Sequence, residues 1–168
     1  MEPLTPRDVE TALAALGMDI EIRFFEQTTA TSQQAADNIG CELGQIVKSI
    51  AFLVDEQPII VMASGDQRID DRKVAALYNV SRKKVRVASP DEMVAIYGYA
   101  PGSMPPLAHR SSDIHIYIDE TLQRFDTLYA AGGAHNAIFA ATLPQLIAMS
   151  GGRLADVIRD TPPENGAS

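Results

Sequence analysis

Cysteine is almost missing from this 168-residue sequence. Cys41 stands alone, so no internal disulfide can form, which suits a reducing cytoplasm. No apolar run approaches the ~20 residues that a membrane span needs, so a membrane is not an expected partner. The opening Met1-Glu2-Pro3-Leu4-Thr5-Pro6 has no basic region followed by an apolar core and does not read as a signal peptide. A surplus of positive charge is also lacking: 22 acidic against 14 basic residues leave a net charge of −8. That balance argues against broad non-specific nucleic-acid binding, and DNA is not an expected partner. The three histidines, His109, His115 and His135, have no ligand-like spacing, so no metal is expected. There is no Gly-x-Ser-x-Gly elbow, no Gly-x-Gly-x-x-Gly and no P-loop, which leaves no signal for a serine hydrolase triad or for a nucleotide cofactor. Cys41 follows the end of a predicted helix, where the dipole disfavours a thiolate, and reads better as a small buried hydrophobe than as a nucleophile.

What is present describes an ordinary globular chain, 46% hydrophobic and 21% charged. We expect one domain over residues 1–160 and a disordered polar tail over 161–168. Thr5-Pro6-Arg7-Asp8 starts a helix whose stripe is Val9, Leu13 and Leu16, with Gly17 ending it. Ile20 to Phe25 predicts a strand with Ile20, Ile22 and Phe24 on one face. Thr31-Ser32-Gln33-Gln34 is a capping box, and Gly40 closes its helix. Ile46 to Val54 is a near-continuous apolar strand, returning through Asp55-Glu56-Gln57 into Pro58 to Met62. Asp70 opens a helix with Val74 and Leu77 inward. Val85 to Val87 is a short strand, and Ser89-Pro90-Asp91-Glu92 starts a helix that stops at Gly98. Ile114, Ile116 and Ile118 alternate with His115 and Tyr117 as in a half-buried strand. Thr127 to Ala130 and Ala137 to Ala141 form a hairpin, a last helix runs from Thr142 to Gly151, and Leu154 to Ile158 is a final strand. The pattern predicts an α+β fold with a mixed sheet or distorted barrel.

Four features carry candidate chemistry. Gly98-Tyr99-Ala100-Pro101-Gly102-Ser103-Met104-Pro105-Pro106 is a stiff loop; it is either a surface connector or a support for backbone N–H groups facing a ligand. Gly132-Gly133-Ala134-His135-Asn136 is a second tight turn. Lys48 interrupts an apolar strand, and must snorkel out at the strand end, pair, or face a cavity. Between Arg68 and Arg86 lie seven of the 14 basic residues, a local face that could hold one end of an RNA or be only a solvated surface. A lysine with two backbone-rich turns suits ester hydrolysis, in which N–H groups hold the carbonyl as negative charge develops.

In order, Thr31-Ser32-x-x-Ala35-Ala36, Ile46-Val47-Lys48-Ser49, Ser64-Gly65-Asp66, Gly98-Tyr99-x-x-Gly102-x-x-Pro105, Tyr117-Ile118-Asp119-Glu120 and Gly133-x-His135-Asn136 resemble the YbaK/ProX family. These are free-standing aminoacyl-tRNA deacylases related to the editing insertion domain of bacterial prolyl-tRNA synthetases. The resemblance implies a mostly antiparallel mixed sheet curled into a distorted barrel with short helices around it. It implies metal-free, cofactor-free hydrolysis of the ester joining a wrong small amino acid (Ala, Cys, Ser or Thr) to tRNA. Lys48 would lie near the tRNA 3′ end, and the Gly102 N–H would orient the scissile carbonyl. A ribose hydroxyl of the terminal adenosine would help activate water. Ser49 would bear on which amino acid is accepted. Gly65, Ser103, Gly133, His135 and Asn136 complete the expected substrate-binding set, the last two at the pocket rim. The partners implied are the aminoacyl-tRNA acceptor end and a synthetase that presents it. Two other readings stay open: a non-catalytic module binding an acceptor end or a synthetase, and a hydrolase of other small acyl esters.

Overall fold

The computed structural model describes residues 1–160, so the predicted tail over 161–168 lies outside the described residues. Local capping signals set most helix starts. The Asp8 carboxylate accepts from the Thr5 N–H at 2.8 Å and starts α1 (Pro6–Ala15). Thr31 Oγ1 accepts from the Gln34 N–H at 3.1 Å, and Gln34 Oε1 from the Thr31 N–H at 3.1 Å, at the start of α2 (Ser32–Ile39). Asp70 caps α3 (Asp71–Leu77). Ser89 and Thr142 cap α4 (Pro90–Glu92), which continues as a π-helical turn over Met93–Tyr97, and α5 (Leu143–Ser150).

Eight strands form one sheet: β1 (Ile22–Phe24), β2 (Ile46–Val54), β3 (Gln57–Ser64), β4 (Val85–Val87), β5 (His115–Asp119), β6 (Leu128–Ala131), β7 (Ala137–Ala141) and β8 (Arg153–Ala155). The order is β1-β7-β6-β2-β3-β5-β8, with β4 also on β2. The sheet is mixed: β2 runs antiparallel to β3 and β4, and parallel to β6. It does not close, since β1 and β8 are its edges. Strand β2 is the organising element. Its first residues pair with β6, its last with β4, and all of it from Val47 to Val54 with β3.

Apolar clusters cover both faces of the central strands. One holds Leu53, Ile60, Met62, Ile118 and Phe139; the other holds Phe52, Val54, Ile59, Val61 and Tyr117. This corrects the half-buried reading of β5, in which Ile116 to Asp119 are all buried, because β5 lies between β3 and β8 with cover on either side. Four further expectations change. Phe24 is 57% exposed because β1 is an edge strand, and the cluster that takes in Ile22 with Val9 and Leu13 does not reach it. Leu16 lies at the C-cap of α1 and is half exposed, so the stripe ends at Leu13. Leu77, at the last position of α3, is 38% exposed, whereas Val74 one turn earlier is buried. The final strand stops at Ala155, and Ile158 instead makes a single bridge to Ile69. Among the described residues, no helix is long and apolar enough to cross a membrane.

Candidate active site

Most of β2 is buried, but Lys48, Ser49 and Ile50 are only partly so. They open onto a cavity of about 250 Å³. Ala35 and Ser32 of α2 line it, with the preceding Thr29-Ala30-Thr31. Gly102 and Met104 close it from the proline loop; Ile46, Ala131 and Ile138 contribute from β2, β6 and β7. The structure therefore brings together Lys48, Ser49 and Gly102, which lie 54 residues apart at the extremes by number (102 minus 48).

The proline loop reaches this cavity because Gly102 has no side chain. Its φ is +84°, and a Cβ there would lie 2.8 Å from the Ala30 Cβ and 3.0 Å from the Ala30 carbonyl oxygen. The turn is tied by the Ser103 N–H donating to Ala100 O at 3.1 Å, and Ser103 is buried. Behind it, the Tyr99 hydroxyl donates to Ala108 O at 2.8 Å, and His109 Nε2 meets Pro105 O at 2.8 Å. The two rings pack edge to face with centroids 6.4 Å apart. Burial holds the His109 pKa below the usual histidine value, only partly offset by the bond to Pro105 O. A neutral ring donating its Nε2–H satisfies that geometry. Among the described residues, the Gly102 N–H has no protein acceptor.

The opposite wall is fixed from the Gly132–Asn136 turn. His135 O accepts from the Thr29 N–H at 2.6 Å, from Thr29 Oγ1 at 3.1 Å and from Thr28 Oγ1 at 3.2 Å. Asn136 Nδ2 donates to Phe25 O at 3.0 Å, and Asn136 O accepts from the Phe25 N–H at 2.9 Å. His135 thus stands one hydrogen bond behind the lining residue Thr29, while Asn136 holds Phe25 farther back, and the His135 side chain is exposed. Gly133, with φ +102°, makes room for α1: a Cβ there would lie 3.1 Å from Pro6 N and from Val9 Cγ2. Gly65 lets the β3 end pass under α2, where a Cβ would lie 2.8 Å from Leu43 O and from the Ser32 Cβ. Gly65, Ser103, Gly133, His135 and Asn136 thus border the lining rather than form it.

Lys48 pairs with Ala63 across the hairpin, and its ammonium donates to the Gln67 carbonyl. Burial pushes the Lys48 pKa below the usual lysine value; the Asp66 carboxylate opposes this and Arg68 adds to it. A partly desolvated ammonium binds an anion more strongly than one in bulk water. The N-terminal turn of α2 contributes to the same cavity with its dipole of matching sign. Sequence reasoning missed Thr29, Ala30, Ile50, Ala131 and Ile138 as lining residues. They are short or apolar side chains whose role comes only from segments meeting across the fold, so no local pattern marks them. Among the described residues, no three His, Cys, Asp or Glu side chains cluster as a metal site.

Residues 26–149 match the family described as the aminoacyl-tRNA editing domain, and the chain belongs to that YbaK-like family. The chain is 32% identical over 158 residues to the protein YwhH of Bacillus subtilis, spanning 92% of this chain and 97% of that one; YwhH is described as uncharacterized. It is 33% identical over 98 residues to the proline–tRNA ligase of Staphylococcus aureus, which covers 58% of this chain and only 17% of the ligase. A solved structure described as a candidate trans-editing enzyme for prolyl tRNA synthetase superposes with a TM-score of 0.84 at 33% identity, covering 92% of this chain and 96% of the other.

Proposed function

We propose that this chain is a trans-editing hydrolase that removes a small amino acid (Ala, Cys, Ser or Thr) from mischarged tRNA. The observation that carries the reading is the shared cavity of Lys48, Ser49 and Gly102 in a chain of the editing-domain family. The likeness to part of a proline–tRNA ligase supports tRNA mischarged by a prolyl-tRNA synthetase as the substrate, with that synthetase as a partner that presents it in the cytoplasm.

The acceptor end enters with its terminal ribose and aminoacyl ester between the proline loop and β2. The Gly102 N–H donates to the ester carbonyl oxygen and stabilises the charge that develops as water adds. Lys48 holds the adjacent phosphate or the oxyanion. A neighbouring ribose hydroxyl of the substrate orients the attacking water, so neither a metal nor a cofactor is required. The C–O ester bond breaks, the ribose oxygen leaves as a hydroxyl, and the amino acid departs with a carboxylate. Ala35, Ala131, Ile138 and Met104 give the acyl side chain a short apolar seat, and Ser49 adds one hydroxyl that discriminates among small amino acids. Gly65, Ser103, Gly133, His135 and Asn136 act by holding the two walls at the correct separation.

A deacylation panel tests this, with tRNA esterified in turn with Ala, Cys, Ser and Thr and with Lys48→Ala as control. Release of at least one of these amino acids, reduced ~100-fold or more in a folded Lys48→Ala variant, is the expected result. Unchanged turnover by Lys48→Ala removes the catalytic assignment. Binding of tRNA without any deacylation favours the alternative, a non-catalytic acceptor-end or synthetase-binding module.

A further inference from the structure

Arg124 lies outside the cavity lining, yet its contacts converge on the turn that receives the Lys48 ammonium. Its Nη2 donates to Ser64 Oγ at 3.0 Å and to Asp66 Oδ1 at 3.0 Å. Nε donates to Thr121 O at 2.9 Å, and the guanidinium sits 4.9 Å from the Phe125 ring centroid. Ser64 is fully buried at the end of β3, so its hydroxyl gives Arg124 a fixed anchor. The turn from Ser64 to Gln67 is closed by the Gln67 N–H donating to Ser64 O at 3.0 Å, and is tied to β2 by the Gly65 N–H donating to Ile46 O at 2.8 Å. Gln67 then presents its carbonyl to Lys48. One guanidinium therefore bridges the 3₁₀ turn after β5 (Glu120–Arg124) and the loop that orients the ammonium.

We propose that Arg124 is a positioning residue for Lys48: it clamps Ser64 and Asp66 so that the Gln67 carbonyl aims the ammonium into the cavity, and it holds the Asp66 carboxylate away from direct pairing with that ammonium. The proposal rests on Lys48 acting in deacylation. It accounts for a carboxylate placed close to a functional lysine without an ion pair between them among the described residues: Asp66 pairs with Arg124 instead. The charged groups whose fields reach Lys48 are Asp66 and Arg68. Removing the guanidinium leaves Asp66 free to turn toward Lys48, which raises the ammonium's pKa and draws it out of line. Neutralising Asp66 does the reverse.

The test compares Arg124→Gln, Arg124→Lys and Asp66→Asn with the parent protein. Two readouts are used: the Lys48 pKa by NMR of lysine-labelled protein, and steady-state deacylation of whichever Ala-, Cys-, Ser- or Thr-tRNA the parent turns over fastest. Arg124→Gln is expected to lower kcat about tenfold or more with KM changed less than about threefold, and to raise the Lys48 pKa. Arg124→Lys recovers part of both, since an ammonium keeps the charge but only part of the guanidinium's hydrogen bonds. Asp66→Asn lowers the Lys48 pKa. A merely structural Arg124 would leave the Lys48 pKa of Arg124→Gln at the parental value, whereas Asp66→Asn lowers it in either case. An Arg124→Gln protein with parental kcat and Lys48 pKa overturns the proposal. Should that variant not fold, an Arg124→Lys protein with parental kcat and parental Lys48 pKa overturns it instead. The NMR readout needs no substrate, so a parent protein inactive on all four esters defeats the hydrolase reading while the clamp is still judged by the Lys48 pKa of the Arg124 variants.

Discussion

Gly102 and Ala30 meet backbone to backbone across the mouth of the cavity, so closely that the smallest side chain at Gly102 would stand 2.8 Å from the Ala30 Cβ. The two walls are thus spaced by an absent methyl group. The loop that carries Gly102 is stiffened by Pro101, Pro105 and Pro106, so it has few ways to retreat.

Gly102→Ala should therefore act on catalysis far more than on folding. At φ +84° an L-residue is strained by about 1–2 kcal/mol, and the Ala30 contact moves the loop outward. On the proposed mechanism, a displaced N–H no longer meets the developing oxyanion. We expect deacylation to fall ~100-fold while the melting temperature drops by only a few degrees. Kinetics and a thermal melt on the same sample check this, and a variant with full activity would show that the Gly102 amide plays no part.

His109 gives the loop a dependence on pH. Its folded pKa lies below its unfolded value, so at falling pH the unfolded chain takes up the proton first. The stability it supports is present at neutral pH and declines as pH drops below about 6.5, by up to about 1.4 kcal/mol per unit. Calorimetry of the parent and His109→Gln from pH 8 to pH 5 should show the parent losing more stability, with the glutamine still able to donate to Pro105 O. Parallel curves would contradict this.

The basic stretch divides when folded. Lys73 pairs with Asp156 and Asp160, Lys84 with Asp55, and Arg86 with Glu56 and Glu92. Arg72 and Arg82 instead line a cavity with Arg159, Asp70 and Asp71. If the acceptor stem lies across this face, the Arg72→Gln, Arg82→Gln double variant weakens tRNA binding and flattens its log–log salt dependence by about 2. Filter binding between 50 and 200 mM salt (about a fourfold range) measures the slope. An unchanged slope would place the RNA elsewhere.

Legibility in the sequence followed the range of the interaction. Capping boxes at Thr31 and Ser89 use partners three residues away and were readable directly. So were the β2–β3 and β6–β7 hairpins, whose registers follow from short turns. Misreadings arose where a neighbour across the sheet decides exposure, as for Phe24 at an edge and Tyr117 in a central strand. Lys48 was visible as a charge in an apolar strand. The cavity wall at Thr29 and Ala30 was not, because its position is set by His135, 106 residues away, through a main-chain carbonyl that any residue type supplies.

Helix α1 lies before residue 26, outside the matched span, yet it seats on Gly133 and buries Val9 and Leu13 in the main core. Upstream of it, the Leu4 N–H donates to Gly98 O at 2.7 Å, at the root of the proline loop. A truncation drawn at residue 26, where the family match begins, would strip a buttress from both sides of the crevice. The packed unit in this chain is therefore larger than its family signature, and any excised or transplanted version should carry its leading segment along.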